Sequence, residues 1–181
     1  MILYVMRHGT TVWNEKGITQ GRTNNRLSAE GKKLTEAVSK DFCNEKIDLI
    51  VCSPLMRTVQ TANIMNKYHK VKVIKDERLI EIDQGVFSGR KWTSLTEEEK
   101  ILKKNRDKSC KMESFQEVEV RTSDFLKYIL KNFSNKNILV VTHNVNASML
   151  ETLILYGKID YSTSPNFKYF GNAQVKKFEI E

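Results

Sequence analysis

The chain has 181 residues, 40% of them hydrophobic and 29% charged, a length and balance that fit one compact, globular domain with a sizeable core. No apolar run approaches the roughly 18 to 20 residues that cross a bilayer, and Cys43, Cys52 and Cys110, three cysteines without metal-site spacing, argue against a disulfide framework or a structural zinc. A net charge of +8 suggests anionic partners, but much of the excess is Lys scattered over predicted helix faces (Lys32, Lys33, Lys40, Lys100, Lys103, Lys104), which reads as solvated surface.

Residues 1–14, MILYVMRHGTTVWN, open the chain with a short apolar run that stops abruptly at Arg7, His8 and Gly9. The run reads as a buried strand entering a loop. It is too short for a signal-peptide core and lacks a basic start and a small-residue cleavage site, so the expected location is cytoplasmic. An imidazole beside a guanidinium is costly to bury and well suited to a phosphate dianion. Taken alone, Arg-His-Gly is equally compatible with a surface loop after an edge strand.

The polar stretch through Gly17, Gly21, Asn24 and Asn25 is expected to be irregular. Ser28 is the predicted cap of a first helix, in which Leu34, Ala37, Val38 and Phe42 recur at helical spacing. A second apolar run, Ile47 to Cys52, ends in Ser53 and Pro54, an N-cap followed by a first-turn proline. Arg57 then falls in the first turn of a helix running to about Tyr68, with His69 just beyond it and solvent-exposed. Val71 to Ile74 is a third strand. Leu79 to Arg90 is a loop holding Glu81 and Asp83, and Trp92 to about Asn105 is helical with a charged face. Ser114 caps a long helix carrying Phe115, Val118, Phe125, Ile129 and Phe133. Asn137 to Thr142 is the most apolar strand and runs into His143; a helix follows to about Tyr156. A polar stretch with Pro165 leads to a last strand near Gln174 to Ile180. Strands alternating with helices, without repeat or linker, imply an α/β three-layer sandwich: a mostly parallel sheet with helices on both faces.

Three strands end in reactive side chains: Arg7 and His8, then Ser53 with Arg57, then Thr142 and His143. In an open parallel sheet such ends share one edge, where ligands bind. Two histidines and two arginines gathered there without obvious acidic partners are costly unless an anion sits among them. No P-loop and no two-metal carboxylate cluster is present, which leaves a side-chain nucleophile, and histidine is competent when held neutral and oriented. A general acid must then protonate the leaving oxygen; Glu81 is the first candidate and Asp83 the second.

These residues resemble the histidine phosphatase superfamily in its phosphoglycerate-mutase-like branch, most of all the small phosphatases similar to alpha-ribazole phosphatase and broad-specificity phosphatases. The likeness runs through Arg7, His8, Gly9, Thr10, Thr11, Trp13 and Asn14, then Gln20 and Gly21, then Leu27, Ser28 and Gly31. It continues in Ser53, Pro54, Leu55, Arg57, Gln60, Thr61 and Ala62, and in Leu79, Glu81, Gly85 and Gly89. It closes with Glu113, Ser114, Thr142 and His143. The resemblance implies that His8 forms a phosphohistidine, that Arg7, Asn14, Arg57 and a protonated His143 bind the phosphoryl oxygens, and that Glu81 serves as acid and then base. It implies no metal and no cofactor. Gln20 and Gly21 would border the phosphate pocket, with Thr10 and Asn144 also at the substrate. Asn144 stands where the family usually has Gly, a change that could alter the turn. Thr10 replaces a longer polar side chain and leaves room in the pocket.

Phosphoglycerate mutases carry a longer insertion before the last histidine strand. Here the single domain, 1–181, has a short helical lid at about 90–115, with Trp92, Ile101, Met112 and Phe115 either lining it or belonging to the core. A mutase must shield its phosphoenzyme from water, and a short lid favours hydrolysis. The expected activity is therefore that of a metal-independent phosphomonoesterase acting on small phosphate esters. The alternatives are a phosphoglycerate mutase or a phosphate-binding pseudo-enzyme. A nucleic-acid module would need a basic stripe with aromatic platforms, which is absent, and no membrane partner is expected. The ester and the oligomeric state are left open by the sequence.

Overall fold

In a computed structural model that describes residues 1–161 and 168–180, the opening apolar run forms β1 (Ile2–Arg7) at the interior of a sheet. The remaining strands are β2 (Leu49–Cys52), β3 (Val73–Lys75), β4 (Ile138–Thr142) and β5 (Val175–Glu179). Their order is β3-β2-β4-β1-β5. The first four run parallel and β5 pairs antiparallel with β1. The helices are α1 (Val12–Glu15), α2 (Ala29–Asp41), α3 (Met56–His69), α4 (Glu97–Lys104), α5 (Phe115–Asn132) and α6 (Asn144–Tyr156).

β4 is buried along its whole length, because alternate residues enter different cores. Ile138 and Val140 pack with Leu3, Val5, Phe125, Ile129 and Leu150 beneath α5 and α6. Leu139 and Val141 pack with Tyr4, Met6, Ile50, Ala62 and Met65 beneath α3. Helices on both faces of a mostly parallel sheet are the expected α/β sandwich. The register places Arg7 opposite Thr142 and Cys52 opposite Val141, so β1, β2 and β4 end level with one another.

Several local expectations change. The stretch after Gly9 contains the single turn of α1, closed by a capping box in which Thr11 and Asn14 bond each other's backbone. Ser28 caps α2 as expected, but the buried side of α2 is Gly31, Thr35 and Ser39, while Leu34 is 43% exposed. Close approach explains this. A Cβ on Gly31 would lie 1.9 Å from the Thr10 carbonyl oxygen, and one on Gly9 would lie 2.3 Å from Thr35 Oγ1. Small side chains let α2 lie directly against the loop that follows β1. Gly31→Ala drives a methyl into backbone rather than into a yielding side chain. It is expected to cost about 3 kcal/mol, the upper end for overpacking; an unchanged urea midpoint would contradict that contact.

Ser53 is not a helix cap. α3 begins at Met56, two residues beyond Pro54, with Leu55 at the N-cap, which frees the Ser53 hydroxyl for another partner. His69 is the last residue of α3 and stacks edge-on against Phe42 at 5.7 Å rather than standing in solvent. The helix expected from Trp92 is divided: a short turn at Trp92–Ser94 precedes α4, which Thr96 caps. Lys103 is not solvated surface, since its Nζ donates to Thr19 Oγ1 at 2.7 Å and lies over the Phe87 and Trp92 rings. Met112 joins Phe87, Leu95 and Cys110 in a small cluster of their own, whereas Trp92 and Ile101 are exposed. Pro165 lies outside the described residues. No helix among the described residues is long and apolar enough to cross a membrane.

Candidate active site

The level strand ends bring the reactive side chains together. His8 N donates to Thr142 O at 3.0 Å and Ser53 N to Val141 O at 3.1 Å, so three chain segments leave the sheet side by side. The His8 and His143 rings then lie 5.3 Å apart, centroid to centroid, and both are buried.

His8 Nδ1 faces the Gly9 carbonyl oxygen at 2.7 Å. A carbonyl only accepts, so Nδ1 carries the hydrogen and Nε2 keeps its lone pair. Burial, reinforced by the nearby charges of Arg57 and Arg7, holds the His8 pKa well below its ordinary value against the opposing pull of the Gly9 bond. Burial thus favours the neutral ring, with the lone pair on Nε2.

Arg57, 1% exposed, organises the centre. Its Nε donates to His143 Nδ1 at 3.2 Å, Nη1 to Thr23 O at 2.6 Å and Nη2 to Gly21 O at 2.8 Å. Burial pushes its pKa down to about 10, partly countered by Glu81, so it stays cationic at neutral pH. Because Arg57 occupies Nδ1 of His143, the other nitrogen holds the hydrogen and donates to Ser53 Oγ at 2.7 Å. Burial and the Arg57 charge lower the His143 pKa well below the usual range. The expected protonated His143 is therefore replaced by a neutral one: a guanidinium N–H cannot share Nδ1 with a second hydrogen.

Arg7 donates from Nη1 to Phe170 O at 2.7 Å, and its buried Nε has no hydrogen-bond partner among the described residues. An orphaned, buried guanidinium N–H is an anion donor in waiting. Glu81 sits near both arginines, with Oε1 accepting from Ile82 N at 3.0 Å. Burial raises its pKa, opposed by Arg57, by the Ile82 N–H and by Arg7. Asp83, the second acid candidate, is occupied elsewhere: its Oδ1 caps Gly85 N at 2.8 Å and its Oδ2 lies 4.0 Å from Arg22.

Of the other expected site residues, Asn14 uses Oδ1 on Thr11 N at 3.0 Å and on Thr11 Oγ1 at 2.9 Å, which leaves Nδ2 as its donor. Gln20 Oε1 lies 3.0 Å from Thr11 Oγ1 and shares that hydroxyl's single hydrogen with Asn14 Oδ1, which places it against the same turn. Gly21 contributes backbone alone; its φ of +50° and the Ser88 Oγ only 2.9 Å from an added Cβ exclude a side chain there. Thr10 is held through its carbonyl, which accepts from Ser28 N at 3.0 Å. Asn144 begins α6 as an ordinary helical residue, so Asn in place of Gly does not distort the turn, and its Oδ1 accepts from Phe170 N at 3.0 Å.

Sequence reasoning missed the residues that orient this set. Thr61 Oγ1 accepts from Gly9 N at 3.0 Å, Asn172 Nδ2 reaches His8 O at 3.3 Å, and Ala173 N donates to the same oxygen at 3.1 Å. Thr61 belonged to the family likeness without a role of its own, and Asn172 and Ala173 carried no signal beyond a polar stretch before the last strand. Among the described residues, no group of three or more His, Cys, Asp or Glu gathers as a metal site requires. A neutral imidazole whose Nε2 bonds to none of the described residues, the buried guanidinium of Arg57, the partly buried one of Arg7 and a carboxyl of raised pKa can bind an oxyanion, attack its central atom and supply a proton.

The model of the histidine phosphatase superfamily (branch 1) matches residues 3–181. Phosphoserine phosphatase 1 of Hydrogenobacter thermophilus is 32% identical over 149 residues, spanning 79% of this chain and 71% of that protein. "Probable phosphoglycerate mutase GpmB" of Enterobacter sp. is 31% identical over 185 residues, covering 90% of this chain and 86% of its own length. Among solved structures, Bacillus stearothermophilus YhfR superposes with a TM-score of 0.86 at 24% identity, over 99% of this chain and 91% of that one, a likeness of fold.

Proposed function

The chain belongs to the histidine phosphatase superfamily, branch 1, and from that premise we propose that it is a phosphomonoesterase that hydrolyses small phosphate esters through a phosphohistidine on His8. The observation that carries this reading is the single tautomer of His8, with Nδ1 tied to Gly9 O and Nε2 bonded to none of the described residues, next in sequence to an Arg7 whose Nε likewise has no partner among them. Nε2 attacks phosphorus in line with the leaving oxygen. Arg7, Arg57 and Asn14 Nδ2 take the equatorial oxygens, where charge accumulates in the transition state. The Nδ1–H bond to Gly9 O stabilises the positive charge that grows on the ring. Glu81, whose pKa burial raises, gives the proton of its acid form to the leaving oxygen; the alcohol departs. The resulting carboxylate takes a proton from water as that water attacks the phosphohistidine, which releases phosphate and restores both groups.

The chemistry needs no metal in this scheme, because the arginines supply the charge. Residues 90–115, whose Leu95, Cys110 and Met112 pack with Phe87 into a small cluster, act as a short lid. So small a cover shields a phosphoenzyme from water poorly, which favours hydrolysis over return of the phosphate. Mutase activity is the second reading, supported by the GpmB relative. The unpaired thiols of Cys43, Cys52 and Cys110 suit a cytoplasmic enzyme. Phosphate release from p-nitrophenyl phosphate, phosphoserine, 3-phosphoglycerate and a sugar phosphate, with chelator present, tests the assignment. Interconversion of phosphoglycerates without release would turn the reading to mutase, and inertness towards every ester would leave a phosphate-binding protein.

The acid role makes a prediction in pH. Phosphorylation of His8 requires protonated Glu81, so kcat/KM falls as pH rises through the raised Glu81 pKa. His8, with its depressed pKa, stays neutral well into acid and adds no acid limb near its ordinary value. Glu81→Gln is expected to erase the alkaline limb and to slow alkyl esters by about 10²- to 10⁴-fold. The loss on p-nitrophenyl phosphate is smaller, because nitrophenolate leaves without a proton. Equal losses on both substrates with the limb intact would remove Glu81 from the acid role.

A further inference from the structure

We propose that Asn144 is a positioning residue that sets the guanidinium of Arg7 through the main chain of Phe170, rather than a residue that touches substrate. Phe170 is held at both ends of its backbone: its N–H donates to Asn144 Oδ1 at 3.0 Å, and its carbonyl accepts Arg7 Nη1 at 2.7 Å. The ring of Phe170 is buried, with Lys176 Nζ 4.2 Å from its centroid. Lys176 in turn pairs with Glu151 on α6 at 2.6 Å. Ser148, one turn after Asn144, shares its one hydroxyl hydrogen between Asn144 O at 2.9 Å and Lys168 O at 3.1 Å. One face of α6 therefore grips the segment just before β5, and that segment hands the grip to Arg7 and, through Asn172 and Ala173, to the His8 carbonyl.

The consequence is specific to the side chain at position 144. Glycine there would leave the Phe170 N–H without its acceptor and the Phe170 carbonyl free to swing. The Arg7 guanidinium would then lose the bond that aims its unpartnered Nε. Arg7 is the donor affected, because Arg57 is fixed independently by Thr23, Gly21 and His143.

The inference rests on the phosphate-pocket reading, and its test uses binding as well as turnover. Orthovanadate affinity is measured by titration calorimetry for the wild type, Asn144→Gly, Arg7→Ala and the double variant, with thermal unfolding alongside. Asn144→Gly is expected to bind about tenfold more weakly, the effect of one lost hydrogen bond, with a comparable fall in kcat/KM. On the Arg7→Ala background the same substitution adds nothing, since residues acting through one contact are not additive. Unchanged affinity in Asn144→Gly, or a tenfold loss that persists without Arg7, overturns the assignment. A wild type that binds orthovanadate but releases no phosphate would defeat the hydrolase reading alone and leave this test in force. A wild type that binds none would defeat the pocket and the tether together.

Discussion

His8→Ala is expected to abolish phosphate release from every ester, a fall of roughly 10⁴-fold or more. The neighbouring hydroxyl of Ser53 cannot take over, because it already accepts from His143 Nε2 at 2.7 Å. The fold should survive: the substitution leaves the Gly9 carbonyl without its partner, a cost of about 1–3 kcal/mol for one buried acceptor. A second readout tests the intermediate directly. Wild-type protein quenched during turnover of a ³²P-labelled ester should carry acid-labile, alkali-stable label on His8, and the variant none. Substantial turnover by His8→Ala, or label on another residue, would refute covalent catalysis at this position.

Removing Arg57 should damage both chemistry and stability. Arg57→Met keeps the length of the side chain but leaves His143 Nδ1, Gly21 O and Thr23 O without their donor. The expected cost is about 3 kcal/mol in urea unfolding and about 10³-fold in kcat/KM. Arg57→Lys restores the charge but not the geometry, since one ammonium cannot reach three acceptors that point in different directions; it should recover little activity. There is also a sign to check in pH. Arg57 lowers the pKa of His8, so without it that pKa rises and an acid limb emerges, with activity lost as pH falls. A variant that keeps wild-type activity and an unchanged acid profile would show that the Arg57 charge does not act on His8.

What could be read without coordinates was local. Ser28 and Ser114 are capping residues as their spacing indicated, because an N-cap bond spans only three residues. α5 and β4 follow from apolar periodicity, since each buries the stripe or the run that its own residues define. The gathering of Arg7, His8, Arg57 and His143 followed from one topological inference, that short apolar strands in an alternating α/β chain run parallel and end on one edge. Local reasoning failed where a neighbour distant in sequence set the requirement. Leu34 looked like core and is exposed, because α2 turns Gly31, Thr35 and Ser39 inward: Gly31 lies against the Thr10 carbonyl, Thr35 against Gly9, and Ser39 donates to Ile64 O. Ser53 looked like a cap, but His143, 90 residues away, uses its hydroxyl.

The sequence by itself determined which strands form, where they end and which reactive groups stand at those ends, since hydrophobic period and capping are written within a few residues of where they act. Only the tertiary structure decided the states of those groups. The tautomers of His8 and His143, the depressed imidazole and raised carboxyl pKa values, and the aim of Arg7 through Phe170 and Asn144 all depend on burial and on partners far away in the chain. Those are properties of packing, and no single segment encodes them.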